Sequence, residues 1–144
     1  VMGTDFMLTG HYSFTAFTAS LVPFFLVNDL LLLNQFPDVE ADRQFGRDHL
    51  LIRIGRPAGA VVYNIFLVLV YVSIIAGCLL KILPLGALLG LATIIIAVPV
   101  MRGVVRHADN IPGLLPFMVK NVIINISTPM LVAVGIFLST GIAS

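Results

Sequence analysis

Four apolar runs separated by short polar breaks dominate this chain. A membrane-crossing helix needs about 20 mostly apolar residues. Four runs meet that length, at about residues 13–36, 60–80, 83–101 and 116–138. No stretch alternates apolar and polar with the period of two that a barrel strand requires. The pattern predicts an all-α polytopic bundle with four spanning helices. The first run contains Pro23, Asn28 and Asp29, the second is uncharged, and the fourth contains Lys120, Asn125 and Pro129. Residues 1–12 read as the tail of an earlier element followed by a loop. The turn KILPLG joins the second and third runs so tightly that they must be antiparallel neighbours.

Composition points to lipid as the solvent. The 144 residues are 59% hydrophobic and 10% charged, with a mean hydropathy of +1.08. A soluble domain carries about 25% charged residues, and a chain this short cannot hide so much apolar surface inside itself. The net charge of +1 gives no case for nucleic acid, which needs a clustered basic excess. A single cysteine, Cys78, excludes an internal disulfide and a cysteine-based zinc site. It reads as inert packing in mid-span. The opening Val1-Met2 has no basic region before a short apolar core, so no signal peptide is expected. A start at Val1 also points to missing sequence upstream.

The cations sort by loop. Arg43, Arg47, Arg53 and Arg56 follow the first run, and Arg102 and Arg106 follow the third, whereas the 81–84 turn has only Lys81. Cytoplasmic loops carry the Lys and Arg excess. Both longer polar loops are therefore expected on the cytoplasmic side, with the 81–84 turn and the C-terminus at Ser144 on the other.

The stretch NQFPDVEADRQFGRDHLLIRIGR, residues 34–56, holds four of the seven acids and four of the eight Lys and Arg residues. Asn34, Asp38 and Asp42 are spaced i, i+4, i+8 and form one stripe if the segment is helical, with neighbouring Cβ atoms about 5–6 Å apart. Glu40 points away from that stripe. Two carboxylates so placed suit Mg²⁺, which is usually held by one or two carboxylates plus substrate phosphates. Arg43, Arg47 and Arg53 follow closely and can grip phosphate oxygens in a planar fork. A solvated loop of mixed charge is the plain alternative.

The wording of the stretch resembles the second aspartate-rich motif of the UbiA-type intramembrane aromatic prenyltransferases. It is most similar to the branch that prenylates 1,4-dihydroxy-2-naphthoate in menaquinone synthesis. The shared elements are Asn34, Asp38, Asp42, Arg43, the pair Gly46-Arg47, and the closing Arg53-x-Gly55. The upstream GTDFMLTG resembles the loop before that helix. The resemblance covers essentially residues 1–144, as the C-terminal half of the enzyme, with the last four of nine family helices. It implies Asp38 and Asp42 as catalytic magnesium ligands. It implies Arg43, Arg47 and Arg53 as contacts of a prenyl diphosphate, and Asn34 as an orienting residue. It also implies an aromatic acceptor, Mg²⁺ as cofactor, and a multi-pass location in a bacterial or archaeal cytoplasmic membrane, with the Asp-rich loop on the cytoplasmic side. The family's first aspartate-rich motif is absent from this sequence. The chain is thus expected to carry half a site and to be inactive without the missing N-terminal half. Two local departures are Pro37, where the branch has a basic residue, and RDHL, where it has Lys-Arg-Thr-Leu.

Other polar residues read first as structure. Asp29 lies within a span, where an ionisable residue is costly and a functional candidate. On an unbroken helix it faces away from the stripe, and pairing with Lys120 or an Asn is the structural alternative. Lys120 can instead snorkel to the interface. His49 and His107 read as polar loop residues. Gly86 to Gly90 fits a small-xxx-small packing pattern. Asn121, Asn125, Ser127 and Thr128 mark a polar face suited to bonding neighbouring helices. Three other functions compete. A CDP-alcohol phosphotransferase needs an Asp-Gly-x-x-Ala-Arg run that this sequence lacks. A transporter fragment has only Asp29 and Lys120 within its spans. The third is a non-catalytic membrane subunit.

Overall fold

The structure is a computed structural model and describes residues 1–141. Among these residues every regular element is a helix. The order is α1 Met2–Thr9, α2 Phe14–Asn34, α3 Val39–Gln44, α4 Leu50–Ile54, α5 Arg56–Leu79, a 3-10 segment Leu85–Thr93 that runs into α6 Ile94–Arg106, and α7 Ile111–Gly141. Four stretches are long and apolar enough to cross a membrane: Phe14–Asn34, Arg56–Leu79, Leu85–Arg106 and Ile111–Ser139. The all-α bundle with four spans is as expected. The orientation expected for Ser144 lies outside the described residues.

The ends of the spans shift for local reasons. The first stops at Asn34 rather than near residue 36, just before Pro37. Proline lacks an N–H and its ring disfavours a helical residue before it. The second starts at Arg56, with Pro57 in its first turn, where the missing donor has no cost. The third extends to Arg106, so Arg102 and Arg106 sit on its last turns instead of in a loop. The fourth begins at Ile111, after Asn110 accepts from the Gly113 N–H at 3.2 Å as a cap.

Helix α5 shows why lipid is the solvent. Tyr63, Leu67, Val70 and Ile74 form a buried stripe at helical spacing. Val61, Ile65, Val68, Val72 and Ile75 form a second apolar stripe that is exposed. A surface helix in water would carry polar residues on that outer face. The chain is an integral, multi-pass membrane protein. In the bundle α2 packs on α5 and α7, and α6 packs on the same two helices. Helices α2 and α6 therefore occupy opposite corners. Gly86 and Gly135 bring the 3-10 segment and α7 into backbone contact, where a Cβ on either would overlap the other's carbonyl. The small-residue pattern thus marks a close crossing, as expected.

Candidate functional site

The polar stretch folds as a short reversal at one end of the bundle. Residues 35–38 form tight turns rather than α-helix, with the Phe36 N–H on Leu33 O at 3.2 Å and the Asp38 N–H on Gln35 O at 3.2 Å. Asn34 is exposed at the end of α2 and is separated from Asp38 by this break. The stripe is therefore continuous only from Asp38 to Asp42. There the Asp42 N–H donates to Asp38 O at 2.8 Å, so the two carboxylates are one α-turn apart. Phe36 and Leu51 are fully buried and anchor the reversal to the core. Arg56 ties its two ends together by donating from Nε to Phe36 O at 3.0 Å.

Just past the end of α3 lies Gly46, whose φ of 71° is left-handed. The Gly46 N–H bonds Arg43 O at 3.2 Å and the Arg47 N–H bonds Asp42 O at 3.0 Å. This is a Schellman cap, and it needs a residue at ease in that conformation. It turns Arg47 back over the helix. Arg47 Nη1 then donates to Asp42 Oδ1 at 2.9 Å, and His49 Nε2 lies 3.2 Å from Asp42 Oδ2. The Asp42 side chain is only 15% exposed as a result. Gly55 closes the stretch with φ 80° and ψ 161°, a region essentially reserved for glycine. Both motif glycines thus have a conformational reason.

The remaining charges pair locally. Arg53 grips Asp48 through two bonds, at 2.9 and 2.6 Å. The Arg53 hydrogen bonds hold the Asp48 carboxyl below its usual range, and Asp48 in turn raises the Arg53 guanidinium. Glu40 is 3.6 Å from Arg43 and 3.5 Å from Arg56. The Asp38 carboxylate is exposed, and among the described residues no hydrogen bond or ion pair reaches it.

The chain matches the UbiA prenyltransferase family over residues 1–114. That span covers the reversal and three of the four spanning stretches. The chain belongs to the UbiA prenyltransferase family. The family's general activity is prenyl transfer within a membrane. No curated protein and no solved structure matches the chain.

The residues present suit the divalent metal of UbiA prenyltransferases as a partial ligand set. Asp38 offers a free carboxylate, and Asp42, one turn on, offers hard oxygens whose partners are exchangeable Arg47 and His49. Among the described residues no group of three or more His, Cys, Asp or Glu side chains gathers into a complete metal site. Mg²⁺ commonly completes its shell with water and substrate phosphate.

His49 and Arg56 are the residues of the reversal that the sequence did not associate with the candidate site of this UbiA chain. His49 reads from the sequence as a plain loop residue, yet it is the second partner of Asp42. The available signal was Gly46, whose turn reverses the chain and brings positions 42 and 49 together.

A second polar cluster lies inside the bundle. Asp29 is fully buried, and neither carboxylate oxygen makes a well-formed hydrogen bond. Asn121 faces it from α7, and its Nδ2 is also unpartnered. Tyr63 donates to Asn121 Oδ1 at 2.9 Å. Thr93 Oγ1 lies 2.8 Å from Thr128 Oγ1 and 3.1 Å from the Tyr71 hydroxyl. The polar face of α7 thus bonds neighbouring helices through Asn121 and Thr128, as expected. Lys120 does not pair with Asp29: it is exposed and lies 5.7 Å from the Phe117 ring centroid.

Proposed function

We propose that this chain supplies the second aspartate-rich motif of a magnesium-dependent enzyme that moves a prenyl group from its diphosphate to an aromatic acceptor in quinone synthesis. The wording of residues 34–56 favours the 1,4-dihydroxy-2-naphthoate branch and the menaquinone pathway, with the motif at the cytoplasmic face. The observation that carries this reading is the pairing of Asp38 and Asp42 one α-turn apart, with Arg47 folded back onto Asp42.

Asp38 and Asp42 would hold the ion. Bound Mg²⁺ supplies positive charge against the leaving diphosphate. Arg47 and Arg53 exchange their carboxylate partners for phosphate oxygens, since both anions fit the guanidinium fork. Arg43, exposed one turn beyond Val39, adds a third cation. Asn34 orients the group at the end of α2. The apolar faces of the spans keep water from the prenyl carbon while the electron-rich ring attacks it and diphosphate departs. The partner motif of the other family half completes the site.

The test uses the full-length enzyme in membranes, with prenyl transfer measured over a magnesium titration at matched expression. Asp38→Asn or Asp42→Asn should cost on the order of 10²–10³ in rate, as for loss of a group that stabilises developing charge. Glu40→Gln should stay within about tenfold, because an exposed ion pair contributes little. Parent-like turnover in both Asp variants would refute the reading.

A further inference from the structure

A groove of about 470 Å³ opens between α5 and α6, lined by Asn64, Val98, Met101, Arg102, Val105 and Arg106. None of these residues belongs to the motif, and α6 stands at the corner opposite α2. Val98, Met101 and Val105 make the lining apolar. Arg102 and Arg106 lie one turn apart at the membrane-end of α6, and both are exposed. Among the described residues neither has an acidic partner, whereas Arg43, Arg47, Arg53 and Arg56 all do. Beside Arg102, Asn64 Nδ2 reaches Met101 O at 3.5 Å, and Asn64 Oδ1 is buried without a donor.

We infer that this groove binds an anionic phospholipid, with its phosphate on Arg102 and Arg106 and an acyl chain along Met101 and Val98. Three features converge on that occupant. Two unpaired guanidiniums one turn apart match a phosphodiester. An apolar channel running from them into the span matches a chain that a soluble phosphate lacks. The orphan Asn64 oxygen accepts a hydroxyl, as a glycerol headgroup offers. Basic pockets between helices at the cytoplasmic side bind anionic headgroups by the same physics. The inference does not depend on which aromatic acceptor the enzyme uses.

The experiment is lipid titration of the delipidated full-length protein in detergent, read by native mass spectrometry. Phosphatidylglycerol and phosphatidylcholine with identical acyl chains are compared. The parent should retain phosphatidylglycerol in preference to phosphatidylcholine. The double variant Arg102→Gln, Arg106→Gln should weaken phosphatidylglycerol binding on the order of tenfold. Lys81→Gln, at the opposite end of the spans, should leave it unchanged. Equal retention of the two lipids by the parent overturns the inference without reliance on any variant. So does undiminished phosphatidylglycerol binding by the double variant. Displacement of the lipid by glycerol phosphate at equal concentration would reassign the site to a soluble phosphate and also overturn it.

Discussion

Arg47 meets Asp42 twice: its N–H bonds the Asp42 carbonyl at 3.0 Å and its guanidinium bonds the carboxylate at 2.9 Å. Both contacts depend on the left-handed turn at Gly46. The side chain that flanks a proposed metal ligand is therefore placed by backbone geometry and not by chance encounter of two exposed charges. An exposed ion pair alone is worth little. The cap makes this one local and pre-formed.

That dependence gives a graded prediction at Gly46. A residue with a Cβ in the left-handed region costs about 1–2 kcal/mol, less for Asn. Activity and thermal midpoint of the full-length enzyme should fall in the order Gly46, Gly46→Asn, Gly46→Ala, Gly46→Val. Gly46→Ala should lose roughly tenfold in transfer rate at limiting magnesium, and less at saturation. Equal activity across the series would mean that the turn does not position Arg47 for catalysis.

Topology is checked by side-specific labelling. In a Cys78→Ala background, cysteine at Gln44 should react from the cytoplasmic side and cysteine at Lys81 from the other. Helix α5 separates these positions by one crossing. Labelling of both from one side would contradict the crossing.

Asp29 yields a stability prediction with an unusual sign. A buried carboxylate that faces only Asn121, without a well-formed hydrogen bond, carries its desolvation cost poorly compensated. Asn in its place keeps the shape and can donate toward Asn121. Asp29→Asn should therefore hold or raise the thermal midpoint in detergent, by the equivalent of up to about 2 kcal/mol. If the midpoint holds while transfer collapses, Asp29 has a role in the reaction and not only in the fold.

The fold was legible because lipid leaves a simple record: about 20 apolar residues per crossing, broken by charge. The candidate site was legible in part. Asp38 and Asp42 follow from a local period of four, and the α-turn between them exists. The break at residues 35–38 follows from Pro37 and separates Asn34 from that turn. His49 was not legible, because a seven-residue separation across a left-handed turn matches no helical period. The residue that faces Asp29 was legible only as a class. Lys120 and Asn121 are neighbours in sequence but about 100° apart around α7, and only packing decides which of them points inward.

Asp48 supplies the last prediction. It occupies the Arg53 fork with the same planar geometry that a phosphate needs, so it competes with the proposed diphosphate contact. Its lowered carboxyl fixes the sign of the pH effect. The pair is fully formed above the ordinary Asp value of 3.8 and is lost only as pH falls through the lowered one. Competition therefore persists unchanged through neutral pH. Asp48→Asn should free Arg53 and lower the KM for prenyl diphosphate by up to about fivefold, the range of an exposed ion pair. The kcat should hold, since uniform binding alone is altered. Arg53→Lys should raise KM, because an ammonium cannot replace the fork. These effects are read by steady-state kinetics at saturating magnesium. An unchanged KM in Asp48→Asn would show that Arg53 does not reach the diphosphate.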